Sequence, residues 1–169
     1  MNYEETHAPV ARVASIRAVF AVCAAKGWKV HQIDINNAYL NGEMDMDGVY
    51  IRQPPYFVNP EHPKRVWLLK KGLYGTKQGG KIWYKTFSGY LTQEAGLIGH
   101  ESDPCLFTSV DKAGDISSIS SIYVDDHIIT GNIGELIKEI KERMSQVFEI
   151  KDLAELHYCL CLEVWRDYG

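Results

Sequence analysis

Tyr123-Val124-Asp125-Asp126 sets two adjacent carboxylates between apolar, β-prone runs. Ile119 and Ile122 lie upstream, and His127, Ile128, Ile129 and Thr130 follow. Such flanks predict a hairpin with Asp125 and Asp126 at its tip. Two neighbouring negative charges on a tight turn repel each other unless a cation sits there. The pair reads either as a solvated turn or as part of a divalent-metal site, and the second reading needs a third carboxylate. Asp34 is the candidate. Val30 to Ile35 alternates as a strand does, so one face carries Val30, Gln32 and Asp34.

Outward from these two stretches the chain alternates helical and strand-like periods. From Arg12 to Lys26, Val13, Ile16, Val19, Phe20 and Cys23 recur at helical spacing, and Gly27 can end that helix. Arg12 and Arg17 fall outside the stripe. Positions 43–65 are polar and hold Pro54, Pro55, Pro60 and Pro63, which leaves room only for a short strand at Val49 to Arg52. Val66 to Leu69 predicts the next strand, and Gly72 to Gly75 a turn. A helix follows from Gln78 to about Ala95, carrying Ile82, Trp83, Phe87, Tyr90 and Leu91, with Gly96 as its cap. Strands are expected at Cys105 to Val110 and Ile116 to Val124. The second is interrupted by Ser117, Ser118, Ser120 and Ser121, which predicts weak packing. Asn132 with Glu135 has capping-box spacing ahead of an amphipathic helix, with Lys138, Glu139, Lys141, Glu142 and Arg143 on its solvated face. A last strand is expected over Tyr158 to Trp165.

The 169 residues suit one domain with a real core, and the 46% hydrophobic and 24% charged content is that of an ordinary globular chain. No run approaches the ~20 apolar residues of a membrane span, and no basic-then-apolar leader opens the chain. Cys23, Cys105, Cys159 and Cys161 have the spacing of neither a zinc site nor a disulfide scaffold, so buried thiols are expected. The net charge of −4 runs against nucleic-acid binding, except for a basic strip of Lys64, Arg65, Lys70, Lys71, Lys77, Lys81 and Lys85. Those lysines are either a strand-binding strip or an ordinary solvated surface.

Ordered blocks then point to a family. Tyr3 to Thr6, Ala8 to Arg12, Gln32 to Asp34 with Asn41-Gly42, and Leu73 to Gln78 come first. Trp83-Tyr84, Asp103 to Leu106, Tyr123 to Asp126 and Phe148 to Leu153 complete them. In this order they resemble the reverse transcriptases of copia-type LTR retrotransposons over nearly the whole chain. The resemblance implies an α+β fold: a polymerase palm-like antiparallel sheet with helices packed on one face, plus part of the fingers. It implies a partial reverse transcriptase domain over 1–169, with thumb and ribonuclease H absent.

The implied chemistry is RNA-directed DNA polymerisation, a two-metal transfer of a nucleotide to a primer 3′-hydroxyl. Asp34, Asp125 and Asp126 are the implied catalytic carboxylates and ligands of Mg²⁺, with Mn²⁺ also fitting. Tyr39, five residues past Asp34, is the implied ring beneath the incoming sugar that clashes with a ribose 2′-hydroxyl. Gln78, Arg12 and Lys151 are the implied contacts to the incoming nucleotide, each with an ordinary surface role as the alternative. Lys77 and Lys81 are the implied nucleic-acid contacts. The expected partners are an RNA or DNA template with its primer, deoxynucleoside triphosphates and the remainder of a polyprotein, with no membrane. The expected location is the cytoplasm, in a virus-like particle, or the nucleus, and not outside the cell. Three departures stand out: Gly79-Gly80 where relatives usually have Ala-Pro, the serine-rich strand, and Cys161 where Gly is usual in Leu160 to Glu163, a segment that resembles the family's primer-grip hairpin. With the expected truncation at both ends, they predict weak or absent activity for this chain alone. The alternative is an inactive or domesticated fragment that binds nucleic acid or protein.

Overall fold

The computed structural model describes residues 8–44 and 48–167. The block at 3–6 lies outside them. The chain folds as two compact units, one built around Pro9–Asn36 and the residues from Phe87 onward, the other around Asn37–Thr86.

The first unit opens with helix α1, Val13–Lys26. Alanines favour the helix throughout, and Ile16, Val19 and Cys23 bury one stripe. Gly27 adopts the left-handed conformation (φ 69°) that ends it, and the Trp28 N–H donates to the Cys23 carbonyl. Val13, expected in the stripe, is exposed. Strand β1, Val30–Ile35, follows.

The chain then enters the second unit. A 3₁₀ turn, Ala38–Asn41, precedes β2, Tyr50–Arg52, and β3, Val66–Leu68, which pair only with each other as an antiparallel ribbon. Helix α2, Lys77–Gln93, starts in this unit and ends in the first.

Back in the first unit come β4, Ile98–His100, β5, Asp103–Val110, β6, Ile116–Tyr123, and β7, Asp126–Gly131. Helix α3, Gly134–Val147, and β8, Ile150–Glu155, follow. Strands β9, Tyr158–Cys159, and β10, Leu162–Glu163, form a small hairpin of their own. The main sheet has six antiparallel strands in the order β4-β5-β6-β7-β1-β8. With three helices the fold is α+β.

The helices do not keep to one face of the sheet, a correction to the expectation. On β7, His127, Ile129 and Gly131 alternate with Asp126, Ile128 and Thr130. The Phe87 ring of α2 meets His127 edge-on at 5.2 Å, and Lys141 of α3 reaches His31 Nδ1 at 3.0 Å, on the face His31 shares with its cross-strand partner Ile129. Helix α1 lies on the other face, where the Cys23 thiol donates to Thr130 Oγ1 at 3.2 Å. Val30, paired with Thr130, lines a cavity there with Phe20, Cys23 and Ala24 of α1.

Four further expectations change. The serine strand β6 is central, and its four serines are buried, with Ser109 Oγ bonding Ser117 and Ser118. Small side chains there admit Gly131, where any Cβ would stand 2.7 Å from the Ser117 carbonyl oxygen. Asn132 does not cap α3: Ile133 holds that position, and the Asn132 N–H goes to the Ser117 carbonyl. Lys141 is not a solvated charge, since it bonds Asp152 at 2.7 Å as well as His31. The strand expected over 158–165 is the β9–β10 hairpin, because Leu160 and Cys161 turn the chain with positive φ. Among the described residues no helix is long and apolar enough to cross a membrane.

Candidate active site

Strand pairing assembles an acidic row from segments far apart in sequence. On β1, Asp34 lies directly opposite Asp126 of β7 and, on its other side, opposite Lys151 of β8. Directly opposed residues of an antiparallel sheet share a face, with Cβ atoms typically about 4.5–5.5 Å apart. Asp126, Asp34 and Lys151 therefore form one line across three strands. The face is apolar and covered at its Val30–Thr130 end, whereas Asp34, Asp125 and Asp126 are half-buried.

The hairpin tip is Val124-Asp125, and Asp126 already opens β7 opposite Tyr123. Asp126 is thus a strand residue rather than a tip residue. The Asp125 carbonyl accepts the Ile35 N–H at 3.1 Å, which fastens the tip to the end of β1. Val124 has φ 57°, a rare conformation for a β-branched residue. The favoured two-residue hairpin turns take positive φ at their first position, so the strain comes from the turn geometry and costs about 1–3 kcal/mol. Just past the same end of β1, Asn36 donates its N–H to the Glu149 carbonyl at 2.8 Å and its side-chain amide to Glu149 Oε1 at 2.9 Å.

Gln32, one face-step before Asp34, donates to Asp126 Oδ1 at 2.9 Å and so orients that carboxylate. It is the residue that sequence reasoning placed on the right face without giving it a task. Its signal was the two-residue alternation itself. Beneath the row, burial pushes the His127 imidazole down to about 3, so this side chain is neutral. Neither ring nitrogen has a hydrogen-bond partner among the described residues. The Cys159 thiol is pushed up to about 11, first by burial and then by the Asp126 charge, which brings β9 to the acidic row.

Lys151 is exposed and, among the described residues, forms no ion pair. Arg12 precedes α1, where its N–H donates to Asp103 Oδ2 at 3.1 Å. Burial raises the Asp103 carboxyl, but hydrogen bonds from Ser15 and from the Arg12 and Cys105 N–H groups outweigh it and hold the group below the usual carboxylate range. No described contact joins Arg12 to the acidic row.

The remaining expected site residues belong to the second unit. Tyr39 stacks on Tyr74 with ring centroids 4.3 Å apart and planes 2° from parallel. Gly79 and Gly80 pack against it: a Cβ on Gly79 would stand 2.7 Å from the Leu73 carbonyl oxygen and 2.9 Å from the Tyr39 ring, and one on Gly80 would stand 3.1 Å from the Tyr39 hydroxyl. Gly79 is therefore a packing requirement, whereas a Cβ on Gly80 would need its side-chain neighbours to shift by a few tenths of an ångström. Thr76 Oγ1 accepts the Gly79 N–H at 3.2 Å and secures that start. Gln78 lies half-buried in the first turn of α2, with Lys77 beside it and Lys81 one turn on.

Carboxylates are the donors a hard divalent cation takes, and Asp34, Asp125 and Asp126 supply three. Their side chains as they stand do not close a site. Among the described residues no three His, Cys, Asp or Glu side chains are grouped to hold a metal ion, and one Asp126 oxygen is engaged by Gln32.

The profile of a family described as reverse transcriptase (RNA-dependent DNA polymerase) matches residues 1–169. The chain is 40% identical over 166 residues to the retrovirus-related Pol polyprotein from transposon RE1 of Arabidopsis thaliana, covering 98% of this chain and 11% of the relative. It is 30% identical over 167 residues to that from transposon TNT 1-94 of Nicotiana tabacum, covering 99% and 12%. A putative transposon Ty5-1 protein of Saccharomyces cerevisiae is 30% identical over 132 residues, covering 78% and 42%. The chain thus spans roughly a tenth of the plant polyproteins it matches.

Proposed function

Because the chain belongs to the reverse transcriptase family, in the branch carried by copia-type Pol polyproteins, we propose that it extends a primer 3′-hydroxyl with deoxynucleotides along an RNA or DNA template. The unit with the six-stranded sheet is the palm in this reading, and the other unit is part of the fingers. The observation that carries it is the pairing of Asp34 with Asp126, beside a strained tip that holds Asp125.

Asp34, Asp125 and Asp126 are the residues that would hold Mg²⁺, or Mn²⁺. When bound, the ion neutralises charge on the attacking and leaving oxygens. Gln32 keeps Asp126 turned along the row. Lys151 offers a positive charge beside Asp34 for the triphosphate, and Arg12 offers another. Tyr39, braced by Tyr74, is the ring that excludes a ribose 2′-hydroxyl by shape, and Gln78 contacts the same nucleotide. Lys77 and Lys81 meet the nucleic-acid backbone. The life cycle of such an element sets the location, a cytoplasmic particle or the nucleus.

Primer extension on poly(rA) with an oligo(dT) primer tests the reading, using this chain or a longer one from the same polyprotein. Asp34→Asn is expected to lower the rate at least about a hundredfold, the loss of several kcal/mol of charge stabilisation, without shifting the melting temperature. Activity of Asp34→Asn equal to the parent's overturns it.

A further inference from the structure

Strand β8 has one residue too many for a straight ladder with β1. At one end His31 stands opposite Glu155, and the Leu156 N–H donates to the Val30 carbonyl at 2.8 Å. At the other, Asp34 stands opposite Lys151, Ile35 opposite Ile150, and Asn36 holds Glu149. Between them Leu153 and Ala154 face the single residue Gln32, which makes a β-bulge. Both ends are anchored, the first also by buried Leu156 and by the Lys29–Glu155 ion pair at 3.5 Å. The extra residue therefore stays in the strand, and only its place along the strand is variable.

That place decides the charge of the acidic row, because a shift of one residue exchanges the faces on which side chains lie. With the bulge at Leu153-Ala154, Lys151 stands opposite Asp34. With the extra residue nearer Ile150, the ladder that begins at His31–Glu155 would run unbroken to Asp34 opposite Asp152. The row across β7, β1 and β8 would then hold three acids, Asp126, Asp34 and Asp152, in place of two acids and a base.

The bulge does not sit where the backbone is most at ease. Ala154 is left-handed (φ 62°), a conformation that one class of bulge gives to glycine. Asp152 holds it there: its Oδ1 accepts the Ala154 N–H at 2.9 Å and Lys141 Nζ at 2.7 Å. Lys141 comes from α3, on the face away from the row. Its side chain is only 12% exposed, and it also donates to His31 Nδ1 at 3.0 Å. Burial first, and then the Lys141 charge, keep the His31 imidazole below its ordinary range against the opposite pull of Asp152 and Glu155, so at neutral pH its Nδ1 keeps a lone pair for Lys141. Burial raises the Asp152 carboxyl, but the bonds from Lys141 and the Ala154 N–H outweigh it and keep the group charged. Hydrogen bonds between charged partners are the strong ones.

We propose that Lys141 is a positioning residue: by bridging His31 and Asp152 it pins the bulge at Leu153-Ala154 and so sets Lys151, rather than Asp152, beside Asp34. Its part in catalysis rests on the reading of Lys151 as a contact to the triphosphate. Its part in the strand register does not.

Disulfide trapping reads the register without activity. Asp34→Cys with Lys151→Cys should cross-link in the 169-residue chain, since directly opposed residues bring their Cβ atoms within range, and peptide mass mapping separates this link from the native thiols. Adding Lys141→Met should lower its yield about tenfold, through the loss of charged hydrogen bonds. Adding Ala154→Gly to that variant should restore it, because glycine adopts the left-handed conformation readily. Asp34→Cys with Asp126→Cys, across β1 and β7, should cross-link alike with and without Lys141→Met. An undiminished link between 34 and 151 in Lys141→Met overturns the proposal. Loss of both links together, or a loss that Ala154→Gly does not restore, also overturns it, because either means a general loosening of the sheet. In primer extension with Asp34 and Lys151 intact, Lys141→Met should raise KM for deoxynucleotide about tenfold with kcat within about twofold, and Ala154→Gly should bring KM back. A level KM beside a lost link overturns the catalytic part alone. A parent chain that extends no primer counts against the polymerase reading, and the cross-links still decide the register.

Discussion

At the scale of single residues, His127 shows what the acidic row costs. Its ring lies fully inside the apolar floor, with Phe87 at its edge and no partner for either nitrogen among the described residues. The imidazole titrates at about 3 when folded, against an ordinary value of 6.5. Below pH ~6.5 the unfolded chain therefore binds a proton that the folded chain refuses. Stability is whole above that pH and falls as pH drops towards 3, by about 1.4 kcal/mol per unit. His127→Leu should abolish this part of the acid dependence, so that the variant gains about 2 kcal/mol on the parent between pH 7 and pH 5. It should lose little at pH 7, because it removes unpaired buried polar atoms. Urea titrations at the two pH values measure both, and parallel losses in parent and variant contradict the assignment. Asp34, Asp125, Asp126 and the face shared by Gln32 and Asp34 were legible in sequence because alternation and spacing are local. The tie between Tyr39 and Gly79-Gly80 was not. It joins a turn to a helix start across more than thirty intervening residues, and glycine in a helix reads as a defect until its neighbour is seen.

At the scale of elements, two of the two-residue hairpin tips, Val124-Asp125 and Leu160-Cys161, use side chains in conformations that glycine or asparagine tolerate better. In the β9–β10 hairpin, Leu160 (φ 49°) and Cys161 (φ 62°) are both left-handed. That is the turn for which Asn-Gly is the favoured pair. A left-handed L-residue costs roughly 1–2 kcal/mol, so Leu160→Asn with Cys161→Gly should raise stability by about 1 kcal/mol, after the extra freedom glycine gives the unfolded chain. A denaturation midpoint that stays level or falls would show that Leu160 contributes more by packing than its backbone costs. Long periodic elements such as α1, α2 and β5 were legible, because their burial repeats along the chain. Strand β4 was not, since three residues, Ile98-Gly99-His100, carry no period and become a strand only by pairing with β5. The cap of α3 failed for a similar reason, because the Asn132 N–H is claimed by Ser117 across the sheet.

At the scale of the whole molecule, charge is divided along the chain. The stretch 48–86 carries eight bases and one acid, and the other positions carry ten bases and twenty-one acids. A protein of pI near 5.8 would ordinarily pass through a cation exchanger at pH 7.5. Local fields rather than net charge govern binding to a polyanionic surface, so this chain should be retained by phosphocellulose and also by an anion exchanger. Both should release it at moderate salt, where exposed charges are screened beyond about 8–10 Å. Passage through phosphocellulose at low salt would show that the basic stretch presents no continuous field. Sheet order was the least legible property. Strand β1 enters between β7 and β8, both of which follow it by more than eighty residues, and no local pattern encodes such a partner.

The two flanks of the six-stranded sheet bear on how the protein behaves at high concentration. A flat, unpaired strand edge is a template on which another copy can add. Here β4 is three residues long and shifts register at Gly99. On the other flank, β8 shifts register opposite His31 and Ile33, exposes Lys151 and Asp152, and is bent by a left-handed Ala154. Each edge is too short or too crooked, and β8 too charged, to be a good template for strand addition. Neither edge offers a second copy a continuous template, so concentrated samples are expected to stay free of sheet-extended aggregates, which light scattering checks.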